Sequence, residues 1–143
     1  MPTRTASAKW TGGLKGGNGS FSTQTGLSST FNFSTRFGEE PGSNPEELLA
    51  ASDAACFSMA LSGGLEKAGF APTSIETKAA CTVEKVGEGF KVTRMQLTTT
   101  AIVPGIDDAK FQAIAQATKD GCPISSAIKG NVQIDLEATL KQA

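Results

Sequence analysis

An α+β fold with largely antiparallel sheets, in the order βββαββααβ, is predicted by three features of the sequence. Residues 3–37 read as short strands around a glycine-rich turn. Residues 45–67 read as one long, almost uncharged helix. From residue 74 onward two strands alternate across a tight hairpin, and two helices and a last strand follow. No linker or internal repeat interrupts this order, so residues 1–143 are expected to form a single domain.

The elements follow from local chemistry. Thr3 to Thr11 alternates, with Ala6, Ala8 and Trp10 on one face. Gly12 to Gly19 reads as a turn, because glycine reaches positive φ without cost. No Gly-Lys-Ser/Thr follows it, which excludes a phosphate loop. Phe21, Phe31 and Phe33 then fall in two more strand-like pieces ending near Thr35-Arg36-Phe37. Asn44-Pro45-Glu46-Glu47 is a helix start: Asn44 caps, Pro45 suits the first position, and Glu47 completes a capping box. The helix is expected to run to about Lys67, with Gly63-Gly64 as its weak point. Between Glu47 and Glu66 its only charged residue is Asp53. A surface helix carries a polar face, so this one should be enclosed on most sides. A chain of 143 residues has little material for that, and a partner subunit is expected to supply the cover.

Beyond Pro72, Ile75, Thr77, Ala79, Cys81 and Val83 share one strand face, with Glu76, Lys78 and Glu84 on the other. Gly87-Glu88-Gly89 makes the hairpin turn. In the return strand, Phe90 to Val103, the apolar phase switches between Val92 and Met95, which predicts a bulge. A helix from Asp107 or Asp108 carries the stripe Phe111, Ile114, Ala115 and Thr118 and ends at Gly121. A short helix runs from Pro123 to Gly130. The last strand turns Val132, Ile134, Leu136 and Ala138 inward.

Composition narrows the function. The net charge is −1 and no lysine or arginine run occurs, which argues against nucleic-acid binding. Met1 to Lys9 has no apolar signal region, and no apolar run reaches the roughly 18 residues of a membrane span, so a cytoplasmic protein away from membranes is expected. The chain has no histidine. That removes Ser-His and Cys-His hydrolases and the common zinc sites, and no metal or cofactor is expected.

Chemistry therefore rests on the cysteines at 56, 81 and 122. In a reducing compartment cysteines serve catalysis, metal binding or packing rather than fixed bridges. Cys122 falls between a helix ending at Gly121 and one starting at Pro123, where free amides favour a thiolate. A small buried residue in a tight connection is the alternative. Cys56 lies mid-helix and reads first as core packing; reactivity there requires a cation. The arginines are Arg4, Arg36 and Arg94, and Arg36, at the end of a strand before the helix, is best placed. Cys81 faces inward and belongs to the core. Glu46 is free to hold Arg36 in a bidentate pair, or simply to favour the helix N-terminus.

The strings Phe33-Ser34-Thr35-Arg36-Phe37, Asn44-Pro45-Glu46-Glu47-Leu48-Leu49, Ala54-Ala55-Cys56-Phe57-Ser58-Met59-Ala60-Leu61 and Gly121-Cys122-Pro123-Ile124-Ser125 resemble the OsmC/Ohr family, the osmotically inducible protein C and organic hydroperoxide resistance proteins. The likeness spans nearly the whole chain and favours the OsmC branch. It implies an intertwined homodimer whose sheets wrap central helices. It also implies a thiol peroxidase that reduces organic hydroperoxides, and hydrogen peroxide less well, in oxidative and osmotic stress defence. By resemblance Cys56 attacks the peroxide, Cys122 resolves it as a Cys56–Cys122 disulfide, and Arg36 and Glu46 activate the thiol. The family's reductants are dithiols, with a lipoylated protein as a candidate. This order inverts the one suggested by the helix start at Cys122. Asp53, one turn before Cys56, departs from a histidine in the nearest relatives and adds a charge that opposes Cys56 ionisation. A peroxide sensor and a non-catalytic binder of apolar ligands are the competing readings. Glu46 and Cys56, ten residues apart on one helix, are separated by about 15 Å along its axis, so a site using both must take them from two subunits.

Overall fold

A computed structural model describes residues 1–142. The chain forms two compact units, Met1–Leu48 and Leu49–Ala143. In the first, β1 (Ala6–Thr11), β2 (Asn18–Thr23) and β3 (Ser28–Phe31) form an antiparallel sheet in that order. The rings of Trp10 and Phe31 pack with centroids 5.6 Å apart, and Phe21 lies 6.2 Å from Phe31. Gly19 makes this possible: a Cβ there would sit 2.7 Å from both the Phe31 and the Trp10 ring.

The strand expected to run through Thr35-Arg36-Phe37 is instead a short helix, α1 (Phe33–Phe37). A capping box holds it. Asn32 accepts from the Thr35 amide at 2.8 Å, and Thr35 Oγ1 accepts from the Asn32 amide at 2.9 Å. Five residues give no helical period to read, and phenylalanine and threonine favour strands. Helix α2 (Pro45–Lys67) begins in this unit, as expected. Asn44 Oδ1 accepts from the Glu47 amide at 2.7 Å, whereas the Glu47 carboxylate accepts from Ser43 Oγ at 2.7 Å rather than closing the expected box.

In the second unit, β4 (Ser74–Val86), β5 (Gly89–Ile102) and β6 (Gln133–Lys141) form a sheet in that order. The β4–β5 hairpin is antiparallel, turns at Gly87 with φ +63°, and shifts register between Thr82 and Val83, which is the expected bulge. The β5–β6 pair is parallel, so this sheet is mixed, where antiparallel pairing was expected. Alternation tells which face a strand buries but not which way its neighbour runs. Helices α3 (Asp108–Gly121) and α4 (Pro123–Ile128) connect β5 to β6.

The core of this unit is Phe57, Leu61 and Leu65 of α2, Met95, Leu97 and Ala101 of β5, Phe111 and Ala115 of α3, and Cys122. Each large apolar side chain buried there stabilises by about 1.5–3 kcal/mol. Helix α2 runs unbroken through Gly63-Gly64, and at Gly64 the missing side chain admits Ile114 of α3, whose Cγ2 would lie 3.2 Å from an added Cβ. By length and composition α2 would pass as a membrane span, which corrects the reading that no such stretch exists. Its small residues raise the average without forming an unbroken apolar run. Its buried row, Asp53, Phe57, Leu61 and Leu65, repeats every fourth residue, and the opposite row, Ala51, Ala55, Met59 and Gly63, is exposed.

Candidate active site

The C-terminal unit brings Cys56 and Cys122 together. Cys56 is presented from the middle of α2, half-buried, and Cys122 is fully buried. Cys122 is at once the C-cap of α3 and the N-cap of α4. Its amide donates to the Thr118 carbonyl and its carbonyl accepts from the Ser126 amide, both at 2.8 Å, so its backbone is pinned on both sides. Its Sγ lies 2.9 Å from Cys56 Sγ. Cys81, half-buried on β4, packs against the core as expected.

Burial is the first cause pushing the Cys56 thiol above its ordinary range, followed by the hydrogen bond from Cys122 and the nearby Cys122 and Asp53 charges. The backbone amide of Ile124, in the first turn of α4, acts the other way, because a donor aimed at sulfur favours the thiolate. The helix start that the sequence seemed to offer Cys122 thus serves Cys56, and the Cys122 side chain makes no cap hydrogen bond.

Asp53 is fully buried beside the cysteines. Its Oδ1 accepts from Ser125 Oγ at 2.7 Å and lies 3.8 Å from Cys122 Sγ, while its Oδ2 has no hydrogen-bond partner. Asp53 therefore points at the cysteines rather than away from them. The sequence reading assigned no role to Ser125. Two signals mark it: Asp53 falls on the buried row of α2, which demands a donor, and Ser125 follows Cys122 by three residues.

The N-terminal unit brings Arg36 and Glu46 together. Arg36, in the last turn of α1, donates from Nε to Glu46 Oε1 at 2.9 Å. The pair makes one hydrogen bond rather than the two of a bidentate pair, since Glu46 Oε2 is buried without a partner. Asn44 Nδ2 donates to the Thr35 carbonyl at 2.9 Å and ties α1 to the start of α2. The Arg36 guanidinium lies 4.9 Å from the Phe37 ring centroid. It borders a hollow of about 230 Å³ lined by Trp10, Leu14, Phe31, Phe33 and Phe37.

The C-terminal unit thus holds a thiol pair suited to redox chemistry, and the N-terminal unit a cation beside an apolar hollow. Comparison with known proteins agrees. A family model described as OsmC-like protein matches residues 38–137. Peroxiredoxin OsmC of Escherichia coli (strain K12) is 46% identical over 132 residues, covering 91% of this chain and 92% of that protein. Organic hydroperoxide resistance protein OhrB of Bacillus subtilis (strain 168) is 33% identical over 99 residues, covering 68% of this chain and 71% of that one. The crystal structure of an organic hydroperoxide resistance protein OsmC from Legionella pneumophila superposes with a TM-score of 0.72 at 26% identity, covering 97% of this chain and 99% of that chain. With more than half of its length matched by that model and nearly all of it by a 46% identical relative, the chain belongs to the OsmC family.

Proposed function

We propose that the protein is a thiol peroxidase that reduces organic hydroperoxides, and hydrogen peroxide less well. The observation that carries this is the 2.9 Å approach of Cys56 and Cys122 within one unit. The Cys56 thiolate attacks the terminal peroxide oxygen. The O–O bond breaks, the alcohol leaves, and Cys56 becomes a sulfenic acid. Cys122 then attacks the Cys56 sulfur, water leaves, and a Cys56–Cys122 disulfide remains. A dithiol restores both thiols and is itself oxidised; a lipoylated protein is the candidate in the cell.

The active species in this reading is a homodimer that joins both units of each chain in one OsmC-like domain. Two features support it. The exposed row of α2 is apolar, with Met59 81% exposed, and invites a second copy. Within the C-terminal unit, the groups acting on Cys56 push its thiol pKa upward, apart from the Ile124 amide, so a peroxide-attacking thiolate there calls for a cation. Arg36, held by Glu46, is assigned that role, and an antiparallel partner helix would deliver both across a two-fold axis. The three thiols suit a reducing, cytoplasmic compartment.

The test is steady-state consumption of cumene hydroperoxide with a dithiol. Wild type is expected to turn over, Cys56→Ser to be inactive, and Cys122→Ser to stop at the sulfenic acid. Turnover by Cys56→Ser would overturn the assignment.

A further inference from the structure

A buried carboxyl on the core row of a helix needs an explanation. Asp53 takes a position between the helix start and Phe57 where every fourth residue faces the core. Burying an ionisable group without a counter-charge is costly, and among the described residues of the C-terminal unit the ion pairs are Arg94–Asp135 and Lys129–Asp120, neither of which includes Asp53. Its partners are the Ser125 hydroxyl and the Cys122 thiol, both on Oδ1, and Oδ2 has none. A purely structural tie between α2 and α4 would be met by a neutral side chain. The titratable groups facing Asp53 are Cys122 at the start of α4 and Cys56 on α2 itself.

We propose that Asp53 is the general base of the disulfide-forming step, accepting the Cys122 thiol proton as Cys122 attacks the Cys56 sulfenic acid. This rests on the peroxidase reading. In the reduced protein the Cys122 thiol has two acceptors in reach, Cys56 Sγ and Asp53 Oδ1. Once Cys56 is a sulfenic acid its sulfur is an electrophile, and Asp53 is the acceptor that remains. The Cys122–Cys56 S–S bond forms and the Cys56 S–O bond breaks, its electron pair leaving with hydroxide. Cys122 is oxidised and Cys56 reduced. Asp53 then gives the proton to the hydroxide, so water is released and the carboxylate is restored. Ser125, three residues along α4, holds Oδ1 in place and is a positioning residue.

The same charge works against the first step, since Asp53 is among the groups that oppose Cys56 ionisation. The two half-reactions should therefore respond in opposite directions to its removal. Asp53→Asn keeps an oxygen for Ser125 and removes the base.

The experiment is a single turnover with one equivalent of cumene hydroperoxide, the sulfenic acid being trapped over time with a dione and read by mass spectrometry. Cys122→Ser must accumulate trapped Cys56; if it does not, the peroxidase reading fails whatever Asp53 does. In Asp53→Asn, disulfide formation is expected to slow by about 100-fold near neutral pH. It should recover about tenfold per pH unit as Cys122 ionises unaided, while attack on peroxide is no slower than in wild type. Ser125→Ala should slow disulfide formation less and keep the wild-type pH profile. An Asp53→Asn rate equal to wild type, or reduced by the same factor at every pH, would overturn the proposal. So would a wild-type rate of disulfide formation that itself rises tenfold per unit from about pH 6 to about pH 8, a measurement that needs no variant.

Discussion

Removing either member of the Arg36–Glu46 pair should harm the protein unequally. The Glu46 side chain is 7% exposed and that of Arg36 38%, with Nε and Oε1 2.9 Å apart. Exposed ion pairs contribute about 0.2–1 kcal/mol. Truncating one member of a fully buried pair costs about 3–5 kcal/mol, because the other charge is left uncompensated. One open and one closed partner place this pair between those limits, with a coupling of about 1–2 kcal/mol. Arg36→Ala strands a buried carboxylate that already has one unpartnered oxygen. Glu46→Ala leaves an arginine that is free to turn to water. Arg36→Ala should therefore cost about 1 kcal/mol more than Glu46→Ala, the gap being one unmet charged hydrogen bond. Urea unfolding of wild type, both single variants and the double variant, all at one protein concentration so that any association on folding affects them alike, gives all four corners of the cycle. In a domain of this size the gap is about 2–6 °C in Tm. A coupling below about 0.5 kcal/mol, or Glu46→Ala as costly as Arg36→Ala, would refute the reasoning. Read from sequence alone, Arg36→Ala is expected to cost little stability; the burial of its partner changes that.

Other outcomes follow from the same geometry. If Arg36 activates Cys56 as proposed, alkylation of Cys56 against pH should give a higher midpoint in Arg36→Ala than in wild type, since burial, Cys122 and Asp53 all push the thiol upward; superimposable curves would mean that another group activates the thiol. A thiol whose pKa is raised by folding stabilises below its unfolded value and loses that contribution as pH rises through the folded one, so in Arg36→Ala stability should fall across the alkaline thiol range, and Cys56→Ser should flatten that fall. Mild oxidation should bridge Cys56 to Cys122 within one chain and leave Cys81 reduced, which peptide mapping checks. A mixed dimer of Cys56→Ser and Glu46→Ala chains should regain about half of wild-type turnover, because one shared site then carries both defects and the other neither; activity no higher than either parent would place each site within one chain.

The sheet of the C-terminal unit was legible where one periodicity ruled. The alternation from Ile75 to Val83, the turn at Gly87 and the bulge opposite Val92 are each dictated by residues close in sequence. Parallel pairing of β5 with β6 was not, since strand direction is set by the two intervening helices. Helix α1 was missed because its signal is a capping box, Asn32 with Thr35, inside a segment of strand-favouring residues. In the site, both cysteines were legible, but the use of the α4 start was not. Which sulfur an amide meets depends on how α2 crosses α4. The direction of Asp53 was legible in principle, because counting back by fours from Phe57 lands on it.

The double pinning of Cys122 bears on survival at high peroxide. A sulfenic acid has two fates: condensation with a thiol, or a second encounter with peroxide that carries it irreversibly to the sulfinic acid. Peroxidases whose resolving cysteine must travel leave the intermediate waiting for a rearrangement. Here Cys122, the resolving residue of the proposed reaction, has its sulfur 2.9 Å from that of Cys56 on a backbone held at both ends, so condensation would need no unfolding of α3 or α4. The fraction lost per turnover should then stay small until peroxide is high, which suits the enzyme to sudden surges rather than to sensing by self-destruction.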